Sequence, residues 1–364
     1  MKRRPFFSRH LSKRAMFSVA LSLTGPATAT AREAGAIGFA VPAIPGVSAP
    51  GGAVPETAAV PVAESWAPDA RAQIEVVAGN WGDADPKDIR VILDAVVREF
   101  RPLVAPADGE TLRPLKIQVL PRSTSPRVLY QRGVEGEYVV QLTARDDRWF
   151  QYAYQFSHEL CHILSNFDHK DLQGGAVPTG NQWFEEALCE TASLVTLRRL
   201  AARWEARPPG RKGLGYGPMF SEYARHLLGE SHRHLPSDQS FGQWLGENQA
   251  TLRENPYLRE KNELVATLLL PLFERDPASW QAIAYLNSHP ASAGKSFVQY
   301  LNDWQASCPP GRRLQVAEVV DLFNAGASSA VGQNLQVMRK KPPGVKPEVS
   351  GAAGPVGEPG LPPQ

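Results

Sequence analysis

Trp149-Phe150-Gln151-Tyr152-Ala153-Tyr154-Gln155-Phe156-Ser157-His158-Glu159-Leu160-Cys161-His162-Ile163-Leu164 is the stretch on which the architecture turns. Trp149, Phe150, Ala153, Phe156, Leu160, Ile163 and Leu164 recur at helical spacing, which predicts an amphipathic helix with one buried face. On that helix His158 and His162 stand four residues apart, so both imidazoles project from the same side with Glu159 next to them. Two imidazoles at this spacing can reach one tetrahedral Zn2+, and Glu159 can polarise a water at the same ion. Such an ion lowers the pKa of its water to about 7, and an adjacent carboxylate can take the proton and hand it to a leaving amine.

A second helix is expected over 182–204, opening Trp183-Phe184-Glu185-Glu186-Ala187-Leu188-Cys189-Glu190 with several acids in its first two turns. At these two motifs the chain resembles the gluzincin metallopeptidases, the thermolysin-like and related group. In that group a helix carrying HExxH packs against a second helix whose glutamate completes a zinc site. The resemblance implies an α+β, zincin-like fold and zinc-dependent hydrolysis of peptide bonds in a peptide or protein substrate. Family members show an aromatic residue, two further residues, the ligand glutamate and then a small residue. Trp183-Phe184-Glu185-Glu186-Ala187 fits that pattern with Glu186 as the third ligand beside His158 and His162, and with Glu159 as general base and acid. The family also implies that Glu190, four residues after the ligand, orients the first zinc histidine, His158. Assigning Glu185 as ligand would put Cys189 in that orienting position; the other reading of Glu185 is charge complementing the helix N-terminus.

Read onward from His162, the segment Ile163-Leu164-Ser165-Asn166-Phe167-Asp168 approximates the metzincin pattern, with Asp168 in the third-ligand position and His169 one residue late. It departs from that pattern at Ser165, where a glycine would make the turn at little conformational cost. The group that would stabilise a developing oxyanion is left open among Tyr216, Tyr223, His226, His232, His234 and Tyr257. The Gly-x-Met-Glu-Asn motif of the aminopeptidase branch does not occur in the sequence, nor does an Asp-rich EF-hand loop. Residues 137–142 read as a strand, either a plain strand of the sheet or, as the family resemblance suggests, a sheet edge onto which an extended peptide adds. Cys161 and Cys189 fall on the two motif helices, either as a disulfide or as two small buried residues, and Cys308 is the odd thiol.

Outward from the motifs, the N-terminal side is mixed. A short strand is expected over 73–77, a helix over 86–101 capped by Asp85-Pro86, and strands over 115–120 and 137–142. Beyond residue 146 the pattern is helical, with further segments over 219–228, 261–273, 278–287, 296–306 and 316–324. The expected domain therefore covers 69–335, with an α/β part over 69–146 and a helical part over 147–335 that carries the metal site.

Residues 1–31 begin with a basic run, continue through a short apolar stretch and end in small residues, which reads as a signal peptide; Arg3-Arg4-Pro5-Phe6-Phe7 resembles a twin-arginine export signal. Residues 32–68 form an Ala/Pro/Gly-rich linker and 336–364 a disordered Pro-rich tail. The longest mature apolar run, 264–273, is broken by Pro271 and is too short to cross a bilayer. The 364 residues hold 39 Lys and Arg against 37 Asp and Glu, so no strong field points to nucleic acid. The expectation is an exported, periplasmic or secreted zinc metallopeptidase, of endopeptidase type. The alternative is a zinc-binding but catalytically inactive envelope binding or scaffolding protein of the same fold.

Overall fold

A computed structural model describes Asp69 and residues 71–105, 113–171, 177–209 and 213–324. The expected signal peptide, linker and 336–364 tail lie outside these residues. Strand β1 (Ala72–Val76) leads into helix α1 (Pro86–Val104), whose start is set by Asp85: its carboxylate accepts the Lys87 N–H at 2.8 Å while Pro86 occupies the first turn. The apolar face read from the sequence, Ile89, Ile92, Leu93, Val96, Val97 and Phe100, is entirely buried.

After α1 the chain returns as β2 (Leu115–Pro121), parallel to β1. The short β3 (Arg127–Val128) and then β4 (Tyr138–Leu142) follow, in a sheet of order β1-β2-β4-β3. Strand β4 runs parallel to β2 and antiparallel to β3, with Val128 opposite Val140 and Arg127 opposite Gln141. Ile117, Val119, Val140 and Leu142 point into the core, whereas Gln118 and Gln141 lie on the outer face. Of the two readings of 137–142, the plain strand holds and the sheet edge does not: β4 is flanked by β2 and β3, and the edges are β1 and β3. Two residues long, β3 carries no period-two pattern by which a sequence reading could find it.

Helix α2 (Trp149–Leu164) ends at Ser165, and the chain turns sharply at Asn166, whose φ is 57°. It packs against α1 and against α3 (Gln182–Ala206), a helix of 25 residues. The acids of α3 are not a solvated face: Glu185, Glu186 and Glu190 are at most 3% exposed. Helix α4 (Gly217–Leu228) crosses α3 at Gly217, where a Cβ would stand 2.8 Å from the Glu205 backbone nitrogen. Around α3 the lobe is completed by α5 (Phe241–Glu254), α6 (Arg259–Arg275), α7 (Phe297–Ser307) and a helix over 313–324.

Helix α5 was not expected, although Ser240 and Gln243 close a reciprocal cap at its start. Where a helix was expected over 278–287, the chain forms 3-10 turns, Pro277–Tyr285. Trp183 and Phe184 of α3 pack with Phe297, Trp304 and Phe323, anchoring the first turn of α3 in an aromatic core. The fold is α+β: a small four-stranded sheet, with most of the remaining chain helical. Among the described residues no helix is long and apolar enough to cross a membrane.

Candidate metal centre

The helical spacing of α2 brings His158 and His162 together, with ring centroids 5.0 Å apart. Helix α3 lays Glu186 across both. One carboxylate oxygen is 3.2 Å from His158 Nε2, and the other is 3.6 Å from His162 Nε2. All three side chains are nearly or fully shut off from solvent. Burial alone would raise the Glu186 carboxyl, but the two imidazoles outweigh it and hold the group well below the usual carboxylate range. Gln182, one turn earlier, donates to Glu186 Oε1 at 3.0 Å and fixes the carboxylate plane.

Glu185 faces the other nitrogen of the second histidine. Its Oε1 is 2.7 Å from His162 Nδ1, and its Oε2 accepts from Lys170 Nζ at 2.6 Å and Asn287 Nδ2 at 2.9 Å. Lys170 is itself buried and also donates to Gln182. Burial opposes ionisation of Glu185, yet Lys170 and His162 together bring its pKa down to about 2. The outcome is a carboxylate that orients an imidazole, which leaves Nε2 free to coordinate. From the sequence Glu185 reads either as an alternative ligand or as helix-end charge, and Lys170 and Asn287 give no signal at all. Nothing local marks a lone lysine in a turn, or an asparagine 102 residues from Glu185 in sequence, as part of a site.

Glu190 does not orient His158. Its two oxygens are taken by Tyr154, which donates to Oε2, and by Arg233, which donates to Oε1 at 2.7 Å, so the expected contact is replaced by a pair between α3 and the turn Ser231–Arg233. His158 Nδ1 consequently has no hydrogen-bond partner. Asp168 is also elsewhere: Arg132 holds its carboxylate at 2.8 Å, and the left-handed turn falls at Asn166 rather than Ser165, so the metzincin-like arrangement is not assembled.

Glu159 follows His158 on α2, buried, with one carboxylate oxygen unpartnered. Burial pushes its pKa up to about 7, against the pull of the two imidazoles and the Val128 backbone N–H. The general-base candidate therefore lies under the edge strand β3.

Of the six oxyanion candidates, Tyr257 is the one whose phenol is acted on by Glu186; burial and that charge push its pKa well up, so it stays a hydrogen-bond donor. Tyr130, just past β3, is held up in the same way by burial and by Glu185 and Glu186. Tyr216 donates to the Asp147 carbonyl, Tyr223 packs on Phe150, and His234 contacts the Leu228 carbonyl. His226 lines a shallow surface depression with Glu222 and Arg225. His232 joins Glu230 and Glu263, but Arg233 and Arg259 already neutralise those carboxylates, which disfavours a cation there.

The donor set suits a metal. His162 Nε2 and a Glu159 oxygen are buried polar atoms without partners, His158 turns its Nε2 to the same Glu186 carboxylate, and two imidazoles with an ionised carboxylate match the borderline preference of zinc. Cys189 also brings its sulfur within 4.8 Å of ligand atoms of both histidines. Burial and the neighbouring Cys161 thiol push its pKa well up, and Cys189 and Glu186 both stand as third-ligand candidates beside the two histidines. Cys161, Cys189 and Cys308 are all free thiols, and all are buried. Comparison with protein-family models, curated proteins and solved structures finds no match to this chain.

Proposed function

We propose that this chain is a zinc-dependent peptidase with a zincin-like fold, exported to the periplasm or beyond. One observation supports the reading above the rest: His158, His162 and Glu186, from two buried helices, converge at distances of 3.2 and 3.6 Å with Glu159 beside them. His158, His162 and Glu186 would hold the ion. Zinc bound there supplies the Lewis acidity that brings the pKa of a water near about 7.

The protein's own groups do the rest. Glu185 keeps His162 oriented through Nδ1. Glu159 receives the proton of the attacking water on its unpartnered oxygen and delivers it to the leaving amine. Tyr257, protonated and acted on by Glu186, donates toward the developing oxyanion.

The test is metal analysis of the purified protein together with cleavage of a peptide library by wild type and by Glu159→Gln. One bound zinc with cleavage that depends on Glu159 is the expected result. A protein that takes up no zinc overturns the reading, and zinc without Glu159-dependent cleavage assigns the chain to the inactive binding class.

A further inference from the structure

Lys170 carries a charge into the protein interior, 3% exposed, at the end of the turn Phe167–Lys170 that follows α2. Two contacts from the C-terminal part of the chain hold the entry to that turn. Asn166, in its left-handed conformation, donates to the Ala284 carbonyl at 2.6 Å, and Asn287 donates to the Ser165 carbonyl at 2.9 Å. An ammonium taken out of water is costly unless close acceptors replace its hydration. Gln182 and Glu185, on the first turn of α3, supply them, and each leads on to the candidate metal centre.

One relay runs through Glu185. Lys170 Nζ donates to Glu185 Oε2 at 2.6 Å, and Oε1 of the same carboxylate lies 2.7 Å from His162 Nδ1. The other runs through Gln182. Lys170 also donates to Gln182 Oε1, which fixes the amide so that its nitrogen faces away, and Gln182 Nε2 donates to Glu186 Oε1 at 3.0 Å. That Glu186 oxygen is the one 3.6 Å from His162 Nε2, while Oε2 is left to His158. Gln182 and Glu185 share a helix face three residues apart, so one ammonium reaches both nitrogens of His162 through them.

Charge and position act in opposite directions here. An ammonium near a dication repels it, so as a bare charge Lys170 would weaken metal binding. As the anchor of two hydrogen-bond relays it holds an imidazole and a carboxylate ready for an ion, and outer partners of this kind are worth about 10–100-fold in affinity.

We propose that Lys170 is a positioning residue for the candidate centre, ordering His162 through Glu185 and Glu186 through Gln182, so that its removal weakens metal binding in spite of the repulsion relieved. The inference rests on the metal site of the proposed peptidase and not on peptide cleavage.

Zinc affinities of the full-length protein, measured by chelator competition, test it. Gln182→Met cuts one relay and leaves the Lys170–Glu185 pair in place; affinity should fall about tenfold. Lys170→Met is made on Glu185→Gln, so that no buried carboxylate loses its countercharge. Relative to Glu185→Gln alone, affinity should again fall about tenfold, because the Gln182 relay goes with the ammonium. Added to Gln182→Met with Glu185→Gln, where both relays are already cut, Lys170→Met should cost nothing further. The visible absorption of the cobalt-loaded protein should change in Gln182→Met and in Lys170→Met with Glu185→Gln, since both release the Glu186 carboxylate.

Unchanged affinity in Gln182→Met overturns the proposal, as does tighter zinc binding when Lys170→Met is added to Glu185→Gln. An equal loss from Lys170→Met with the relays cut and uncut overturns it too. Zinc binding that follows the expected order without peptide cleavage supports the inference and counts against the peptidase reading alone. A wild type that takes up no zinc overturns the metal reading, and with it the role of Lys170.

Discussion

Glu185 Oε1 lies 2.7 Å from His162 Nδ1, while the other oxygen of the same carboxylate lies 2.6 Å from Lys170 Nζ. A buried cation, a carboxylate and an imidazole thus form one chain ending at the candidate metal centre. Glu186, the next residue, faces the opposite nitrogen, His162 Nε2, at 3.6 Å. Adjacent glutamates have different tasks because successive helical residues point about 100° apart.

That division predicts different losses. Glu186→Gln removes the anionic ligand and abolishes stoichiometric zinc retention after dialysis. Glu185→Gln only loosens the ring of His162 and weakens zinc affinity by about 10–100-fold. Competition with a chromophoric chelator separates the two; equal losses would show that Glu185 is itself a ligand.

Lys170→Met leaves the Glu185 carboxylate buried with its ammonium partner gone. Breaking a buried pair on one side costs about 3–5 kcal/mol. Lys170→Met with Glu185→Gln should recover part of that loss in urea unfolding of the metal-free protein. If the double variant is no better than the sum of the singles, the two residues are not coupled.

The pair of Glu190 and Arg233 sets an acid limit. Burial opposes ionisation of Glu190, but Arg233 and the Tyr154 hydroxyl prevail, and its pKa in the folded protein is lowered. A lowered carboxyl pKa contributes stability above the unfolded value, about 4.3, and that contribution is lost as pH falls through the folded value. Urea midpoints of the metal-free protein should therefore drop below about pH 4.3 more steeply for wild type than for Glu190→Gln. Parallel curves would remove Glu190 from the account.

The three cysteines are reduced and buried. A thiol reagent should find almost no reactive group in the native protein and three after denaturation without reductant. A single thiol after denaturation would instead mean that Cys161 and Cys189 are bonded.

Gly217 has a packing reason. A Cβ there meets the Glu205 backbone nitrogen at 2.8 Å and the Ala201 carbonyl at 3.0 Å, so Gly217→Ala must push α4 off α3. The expected cost is about 1–3 kcal/mol in unfolding free energy, the usual range for overpacking. Unchanged stability would mean that the two helices separate freely.

What the sequence determined by itself is local. The period of α1, the four-residue spacing of His158 and His162, and the position of Glu186 one turn from Glu190 follow from helix geometry within a few residues. The extent of α2 and α3 was legible for the same reason. What only the tertiary structure decided depends on groups far apart in the chain. Glu185 acquires its role through Lys170 and Asn287. Glu190 is drawn from His158 to Arg233 because a guanidinium 43 residues away offers it a buried countercharge. The sheet edges fall to β1 and β3 rather than β4 because strand order is set by pairing across the fold, which alternation along one strand does not encode. Helical periodicity places a side chain on a face; its partner there is set by packing and by the need to neutralise every buried charge.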